Sequence, residues 1–218
     1  MEDNKKLLQG IFQLIDQSPL GTGVGYGLPI AVDRKLTAQL LDFSKIQNNP
    51  IYVQNSRGKF ESAILHGLSQ IMIDLNKMSM DILIFSMPEI GYMKLPSELC
   101  TGSSIMPHKK NPDVLELIRA NYHKIISLEY QIKSIIANLP SGYNRDLQLT
   151  KEPMIKGFEI TKKGLQVMQI VLKQVKVDEK NCKKAMTEEL YATNKVYNLT
   201  KQGVPFRDAY MEVSKSLE

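Results

Sequence analysis

A helical pattern of about eight turns, running from Arg57 to Phe85, constrains the fold of this chain more than any other feature. One apolar stripe recurs at helical spacing along it, and a second lies on another face. The first stripe comprises Phe60, Ala63, Ile64, Leu68, Ile71, Met72, Leu75, Met78 and Ile82, and the second comprises Leu65, Ile73, Met80 and Leu83. A helix that is apolar on more than one face is buried among several neighbours. The pattern predicts the central helix of a bundle, capped by Ser56 and ended by Met87-Pro88.

The rest of the chain also has helical periodicity, and it contains no convincing strand alternation. Further helices are predicted over residues 5–16, 33–43, 112–138, 154–175, 178–186, 188–202 and from 205 to the end of the sequence, with Asn111 and Asp178 as N-caps. The predicted fold class is all-α, built on long antiparallel helices. Residues 1–175 are predicted to form a helical-bundle domain, and residues 176–218 the start of a smaller helical domain.

Composition narrows the classes of partner. The 218 residues carry a net charge of +5 with the positive side chains dispersed, which favours anionic ligands but gives no aromatic-basic module for nucleic acid. The most apolar run, residues 82–85, is far too short to span a membrane, and the acidic start is unlike a signal peptide. Cys100 and Cys182 lack metal-ligand spacing and fit a reduced, cytoplasmic protein. No cofactor or metal is expected.

Residues 101–113 form a polar loop that leads into a predicted helix start. Ser103 and Ser104 provide hydroxyl groups, while Lys109 and Lys110 provide ammonium groups. These groups lie close to the positive end of the helix that Asn111 is predicted to cap. The combination suits a carboxylate or phosphate ligand, with an ordinary solvated surface loop as the alternative.

Three segments of the chain resemble one family. The pattern Gly-Ser-Ser-x-Met-Pro-x-Lys-x-Asn-Pro within residues 101–113 resembles the signature loop of the fumarase/aspartase superfamily, and its continuation to Arg119 resembles argininosuccinate lyases in particular. Residues 19–23 resemble the Pro-Leu-Gly-x-Gly loop of the same enzymes, and residues 143–152 resemble their substrate-binding segment. The resemblance implies a homotetramer with a shared central helical bundle and active sites built by three subunits. It also implies β-elimination of argininosuccinate to arginine and fumarate.

The resemblance also implies roles for residues in and after the signature loop. Ser103 matches the serine that transfers a proton, and nearby positive charge would favour its alkoxide. Lys109 and Asn111 match the residues that hold the substrate carboxylate. Glu116 matches a glutamate that pairs with an active-site histidine.

A second group of residues is implied to contact the substrate. Tyr143, Gln148 and Lys151 supply a phenol, an amide and an ammonium group, which together suit carboxylates and a guanidinium-bearing chain. Arg57 lies where the family has the arginine of a Ser-x-Arg-Asp motif. This chain departs from that motif at Gly58, where the family usually has aspartate.

The active-site histidine of the family, which lies in a Thr-His motif, has no match here. His66, His108 and His123 all lie in other sequence contexts. We therefore expect the chain to be a fragment without the family's N-terminal domain and C-terminal end, and to be inactive alone. An adenylosuccinate lyase, favoured by His108, is one alternative. A non-catalytic helical scaffold and an unrelated helical binding protein are the others.

Overall fold

The computed structural model describes residues 1–217 and confirms the all-α fold class. Its helices in this range are α1 (Glu2–Ile15), α2 (Arg34–Leu40), α3 (Pro50–Asn55), α4 (Lys59–Phe85), α5 (Asp113–Ile136), α6 (Lys151–Gln174), α7 (Glu179–Lys184), α8 (Ala192–Lys201) and α9 (Phe206–Lys215). Short 3₁₀ segments occupy Gly23–Gly25, Ser97–Leu99, Arg145–Thr150 and Glu188–Tyr191. The strands are β1 (Met93–Lys94) and β2 (Lys176–Val177). In the described part of the chain, no helix combines the length and apolarity needed to cross a bilayer.

The described residues form two compact units. The first comprises Met1–Leu83 and Pro96–Gln174, and the second comprises Ile84–Leu95 and the chain from Val175 onward. Within the second unit, β1 pairs antiparallel with β2, which explains why Ile84–Leu95 groups with the C-terminal stretch. The sequence analysis placed the domain boundary at residue 175 and so assigned Ile84–Leu95 to the bundle domain. That boundary stays a prediction.

The second unit has a small core of its own between α8 and α9. Val196, Ala209 and Val213 are buried there. Asp178 caps α7 as predicted, since its carboxylate accepts a hydrogen bond from Asn181 N. The pKa of Asp178 lies below its usual value because Lys94 and the Asn181 N–H both donate to the carboxylate.

Helix α4 is the central helix of the first unit, as the two apolar stripes predicted. Its fully buried side chains include Leu65 and Met72, which lie one heptad apart. They face Gly157 and Gly164 of α6, also one heptad apart: a Cβ built at Gly157 would lie 2.2 Å from Leu65 Cδ2, and one at Gly164 would lie 3.2 Å from Met72 Sδ. The missing side chains let the two helices approach closely.

Alanine at these two glycines is expected to have unequal effects. Gly157→Ala should lower the free energy of unfolding by about 1–3 kcal/mol, because the buried Leu65 must move. Gly164→Ala should be close to neutral, because its clash with the flexible Met72 is milder and alanine gains about 1 kcal/mol of helix propensity. Urea unfolding of the two variants checks the order. Equal losses would contradict the close Gly157–Leu65 contact.

Two predicted N-caps are wrong. Ser56 lies at the C-terminal end of α3, a helix that the sequence analysis missed and that Asn49 caps through its side chain. Helix α4 begins only at Lys59, because Gly58 adopts a positive φ of 77° and interrupts the helical path. Asn111 is not a cap either: its backbone pairs with Thr101, and α5 begins at Asp113 after Pro112.

The last helix also differs from its prediction. It starts after Pro205 as expected, but it ends at Lys215 with Ser216 as its C-cap, whereas the sequence predicted that it continues to the end. The Ser216 backbone N–H bonds to Glu212 and Val213 carbonyls, which closes the last turn. Glu218 lies outside the described residues.

Candidate active site

The signature loop is closed at its base by its own backbone. Thr101 N donates to Asn111 O at 2.8 Å, and Asn111 N donates to Thr101 O at 2.8 Å. A second contact ties the loop to the segment before it: Lys110 Nζ donates a hydrogen bond to Ser97 Oγ at 2.9 Å. Residues 104–110 are exposed between these anchors. The loop therefore presents its side chains to solvent from a fixed base beside the start of α5.

Ser103 is the half-buried hydroxyl of this loop. Its Oγ accepts hydrogen bonds from Ile105 N at 3.2 Å and from Met106 N at 3.1 Å. Two N–H donors on one oxygen stabilise negative charge there, as in an oxyanion hole. Ser103 differs in this respect from Ser104, the next residue of the loop, which is exposed.

Two more of the predicted site residues lie near this hydroxyl in the chain. Lys109 is in the exposed part of the loop, where its backbone N–H donates to Met106 O at 3.1 Å. Glu116 is exposed on the first turn of α5. Ser103, Lys109, Asn111 and Glu116 thus all lie at one end of α5.

Two groups at the ends of the loop were not predicted as site residues. Burial raises the pKa of the Cys100 thiol, an effect that the nearby Lys110 ammonium partly offsets. One carboxylate oxygen of Asp113, at the first residue of α5, is buried and has no hydrogen-bond partner among the described residues. No sequence signal marks Cys100, which follows the 3₁₀ segment Ser97–Leu99, and Asp113 shows only the ordinary preference of an acidic residue for a first helical turn.

The predicted substrate contacts form a second group at the other end of α5. Arg57 Nη2 donates to Leu147 O at 3.3 Å, and the guanidinium carbon lies 6.0 Å from the centre of the Tyr143 ring. Gln148 lies in the 3₁₀ segment Arg145–Thr150, and Lys151 is the first residue of α6. Arg57 therefore contacts the segment of chain that carries Tyr143, Gln148 and Lys151.

Arg57, one residue of this second group, lines a small polar cavity. The cavity has a volume of about 160 Å³ and is lined by residues that include Asn55, Arg57 and Ile136, the last residue of α5. Asn55 Oδ1 accepts from Gly142 N at 2.8 Å, which anchors the turn before Tyr143. The anchor fixes the backbone on which Tyr143 stands.

A single copy of the chain does not bring the two groups together. They lie at opposite ends of α5, whose 24 residues span about 36 Å at 1.5 Å per residue. Substrates of the size of an amino acid do not bridge this distance. A site that uses both Ser103 and Tyr143 must combine different copies of the chain.

Comparison with known proteins relates the whole described chain to one class of enzyme. A family model described as lyase matches residues 1–127. The argininosuccinate lyase of Thermotoga neapolitana is 54% identical over 215 residues, which cover 99% of this chain and 54% of that protein. That of Phocaeicola vulgatus is 40% identical over 99% of this chain and 48% of its own length. The chain thus spans about half the length of the curated relatives it matches.

Solved structures show the same fold at low sequence identity. A class II fumarase from Schistosoma mansoni superposes with a TM-score of 0.80 at 16% identity, covering 98% of this chain and 52% of that one. The chain thus shares the fold of that fumarase, with long helices around α4. The chain belongs to the lyase family, and its predicted resemblance to argininosuccinate lyases is confirmed.

Proposed function

We propose that this chain is part of an argininosuccinate lyase, which splits argininosuccinate into arginine and fumarate in arginine biosynthesis. The observation that carries the proposal is the 54% identity to the Thermotoga neapolitana enzyme, which extends over 99% of the chain and so includes both groups of site residues. The substrate is a small anionic molecule, in keeping with the net charge of +5.

The chemistry is a β-elimination. Ser103, as the alkoxide, removes a proton from the carbon next to a carboxylate, and the N–H groups of Ile105 and Met106 hold the negative charge on its oxygen beforehand. The electron pair moves into the carboxylate to give the aci-carboxylate, which Lys109 and Asn111 stabilise. The C–N bond then breaks, the leaving nitrogen takes up a proton, and fumarate is released.

Residues outside the loop complete this proposal. Glu116 pairs with the histidine of the family's Thr-His motif. This sequence contains no Thr-His motif. Tyr143, Gln148, Lys151 and Arg57 contact the carboxylates and the guanidinium-bearing chain of the substrate. Because Ser103 and Tyr143 lie beyond opposite ends of α5, a helix about 36 Å long, each active site takes them from different subunits.

A homotetramer fits this arrangement. Large apolar side chains on the helices of the first unit are exposed, among them Phe12 at 63% and Phe158 at 49%, and burying them against other copies would remove apolar surface from water. Free Cys100 and Cys182 suit a cytoplasmic enzyme. Residues 1–175 would form the central bundle domain, and residues 176–218 the start of the C-terminal domain.

Fumarate release tests the proposal. The chain is assayed alone and after co-expression with the part of the Thermotoga neapolitana relative that lies outside the match, a pair that we call the completed enzyme. We expect the completed enzyme to release fumarate from argininosuccinate and the chain alone to release none, since it lacks the paired histidine. Fumarate from adenylosuccinate instead would favour the alternative that His108 suggests. No fumarate from either substrate, from parts shown to associate, would favour a scaffold.

A further inference from the structure

The turn that carries Arg57 has no room for the acidic residue that the Ser-x-Arg-Asp motif places after the arginine. Gly58 stands at that position with a φ of 77°, and a Cβ added to it would lie 2.1 Å from Ile136 Cγ2 at the end of α5. No side chain fits between these two segments as they are packed. Any carboxylate that supports this turn must therefore come from another position.

Glu61 supplies a carboxylate at this place. Its Oε2 accepts a hydrogen bond from Gly58 N at 2.6 Å, and its Oε1 accepts one from Thr150 Oγ1 at 3.4 Å. Thr150 is the last residue of the 3₁₀ segment Arg145–Thr150 and is only 1% exposed. One side chain thus connects the start of α4 with the end of the segment that contains Gln148.

The same contacts continue to Arg57. Thr150 Oγ1 also donates to Leu147 O at 3.0 Å, which is the shorter of its two hydrogen-bond distances, so its single proton is directed mainly to this carbonyl while Glu61 Oε1 lies in contact with the hydroxyl at 3.4 Å. Leu147 O in turn accepts from Arg57 Nη2 at 3.3 Å. The position of this carbonyl therefore fixes both the hydroxyl that Glu61 holds and the guanidinium group that lies over Tyr143.

We propose that Glu61 is a positioning residue of the substrate site. It holds the 3₁₀ segment against the start of α4, and so sets where Arg57, Tyr143 and Gln148 meet the substrate. The role in catalysis rests on the proposed function, whereas the role in placing Arg57 does not.

The hydrogen bond from Gly58 N–H to the Glu61 carboxylate is also half of an ordinary capping box. A capping box would stabilise α4 without positioning Arg57. The contact with Thr150 distinguishes the two roles, because a cap needs no partner in another segment. Glu61→Gln keeps the shape of the side chain and one acceptor oxygen but replaces the other oxygen with an NH2 donor, so it can keep only one of the two contacts, whereas Glu61→Ala removes both. Glu159, an exposed acid on α6, provides the matched control Glu159→Gln.

The first measurement uses the chain by itself. The side-chain N–H signal of Arg57, assigned in a ¹⁵N-labelled sample by its loss in Arg57→Lys, reports the hydrogen bond to Leu147 and the nearby Tyr143 ring. We expect this signal to move to the position of free arginine in Glu61→Ala, to move only partly in Glu61→Gln, and to stay in Glu159→Gln. An unmoved signal in a folded but less stable Glu61→Ala variant would leave Glu61 as a helix cap only and overturn the proposal.

The second measurement uses the completed enzyme. Glu61→Ala should raise KM for argininosuccinate about tenfold with kcat changed far less, since a substrate contact is misplaced while the Ser103 loop is intact. Glu61→Gln should recover most of this loss. A drop in kcat with unchanged KM would contradict a role in substrate binding. If the unsubstituted completed enzyme is inactive, the proposed function fails, and the Arg57 signal still decides the placement by Glu61.

Discussion

Ser103→Ala is expected to lower kcat for fumarate release from argininosuccinate by about a thousandfold, the effect of losing a positioned proton acceptor. The reason is local: Ser103 Oγ is the oxygen that receives the Ile105 and Met106 N–H groups, and alanine leaves those donors without it. KM should change little, because Lys109 and Asn111 still hold the carboxylate. The assay follows fumarate absorbance with the completed enzyme.

Ser104→Ala is the matched control for this experiment. Ser104 is the next residue in the same loop and is exposed, whereas Ser103 is half-buried under two N–H donors. We expect Ser104→Ala to keep kcat within about threefold of the unsubstituted enzyme, as for a solvated side chain outside the reaction. Equal losses in both variants would mean that the loop's conformation matters and that Ser103 is not the proton acceptor.

Gly58→Ala is expected to produce the largest loss of stability, about 3 kcal/mol in the free energy of unfolding. The new Cβ would lie 2.1 Å from Ile136 Cγ2, so the end of α5 and the start of α4 must separate. Part of this loss, about 1–2 kcal/mol, is the conformational strain that the positive φ of Gly58 imposes on any residue with a Cβ. Urea unfolding of the chain, followed by circular dichroism at the helix signal, measures the change.

Gly27→Ala separates the two causes of that loss. Gly27 has a φ of 80°, close to that of Gly58, but a Cβ there would meet nothing within 4 Å. It should therefore show only the conformational strain, about 1–2 kcal/mol. If Gly27→Ala and Gly58→Ala lose the same amount, the close packing of Gly58 on Ile136 contributes nothing, contrary to the expectation.

The main helices could be predicted because their apolar periodicity extends over many turns. Their ends could not, because the capping preference of one side chain competes there with the local conformation and pairing of the backbone. The stripes along α4 specify its burial over many turns, so no single residue decides it. Its start depends on one residue: Ser56 has the side chain of an N-cap, but Gly58 adopts a conformation that delays the helix to Lys59. Asn111 likewise has cap chemistry, but the backbone bridge to Thr101 uses it otherwise.

The candidate site likewise has a part that the sequence predicted and a part that only the structure shows. The signature loop could be predicted because its residues are contiguous, and its pattern remains visible in the sequence alone. The contact between Glu61 and Thr150 joins residues 89 positions apart, and only the packing of α4 on the 3₁₀ segment brings them together. The spacing of the two groups at opposite ends of α5 also needs the structure, because it follows from how the helix lies and where the segments attach to it.

We propose that each active site combines Ser103 from one copy with the Tyr143 group from another, and mixing two inactive variants tests this arrangement. Ser103→Ala and Lys151→Ala completed enzymes are unfolded together, refolded as mixed oligomers, and assayed for fumarate release from argininosuccinate. We expect the mixture to regain activity, because some sites then receive an intact Ser103 and an intact Lys151 from different copies. A mixture that forms hybrid oligomers and remains as inactive as its two components would contradict it.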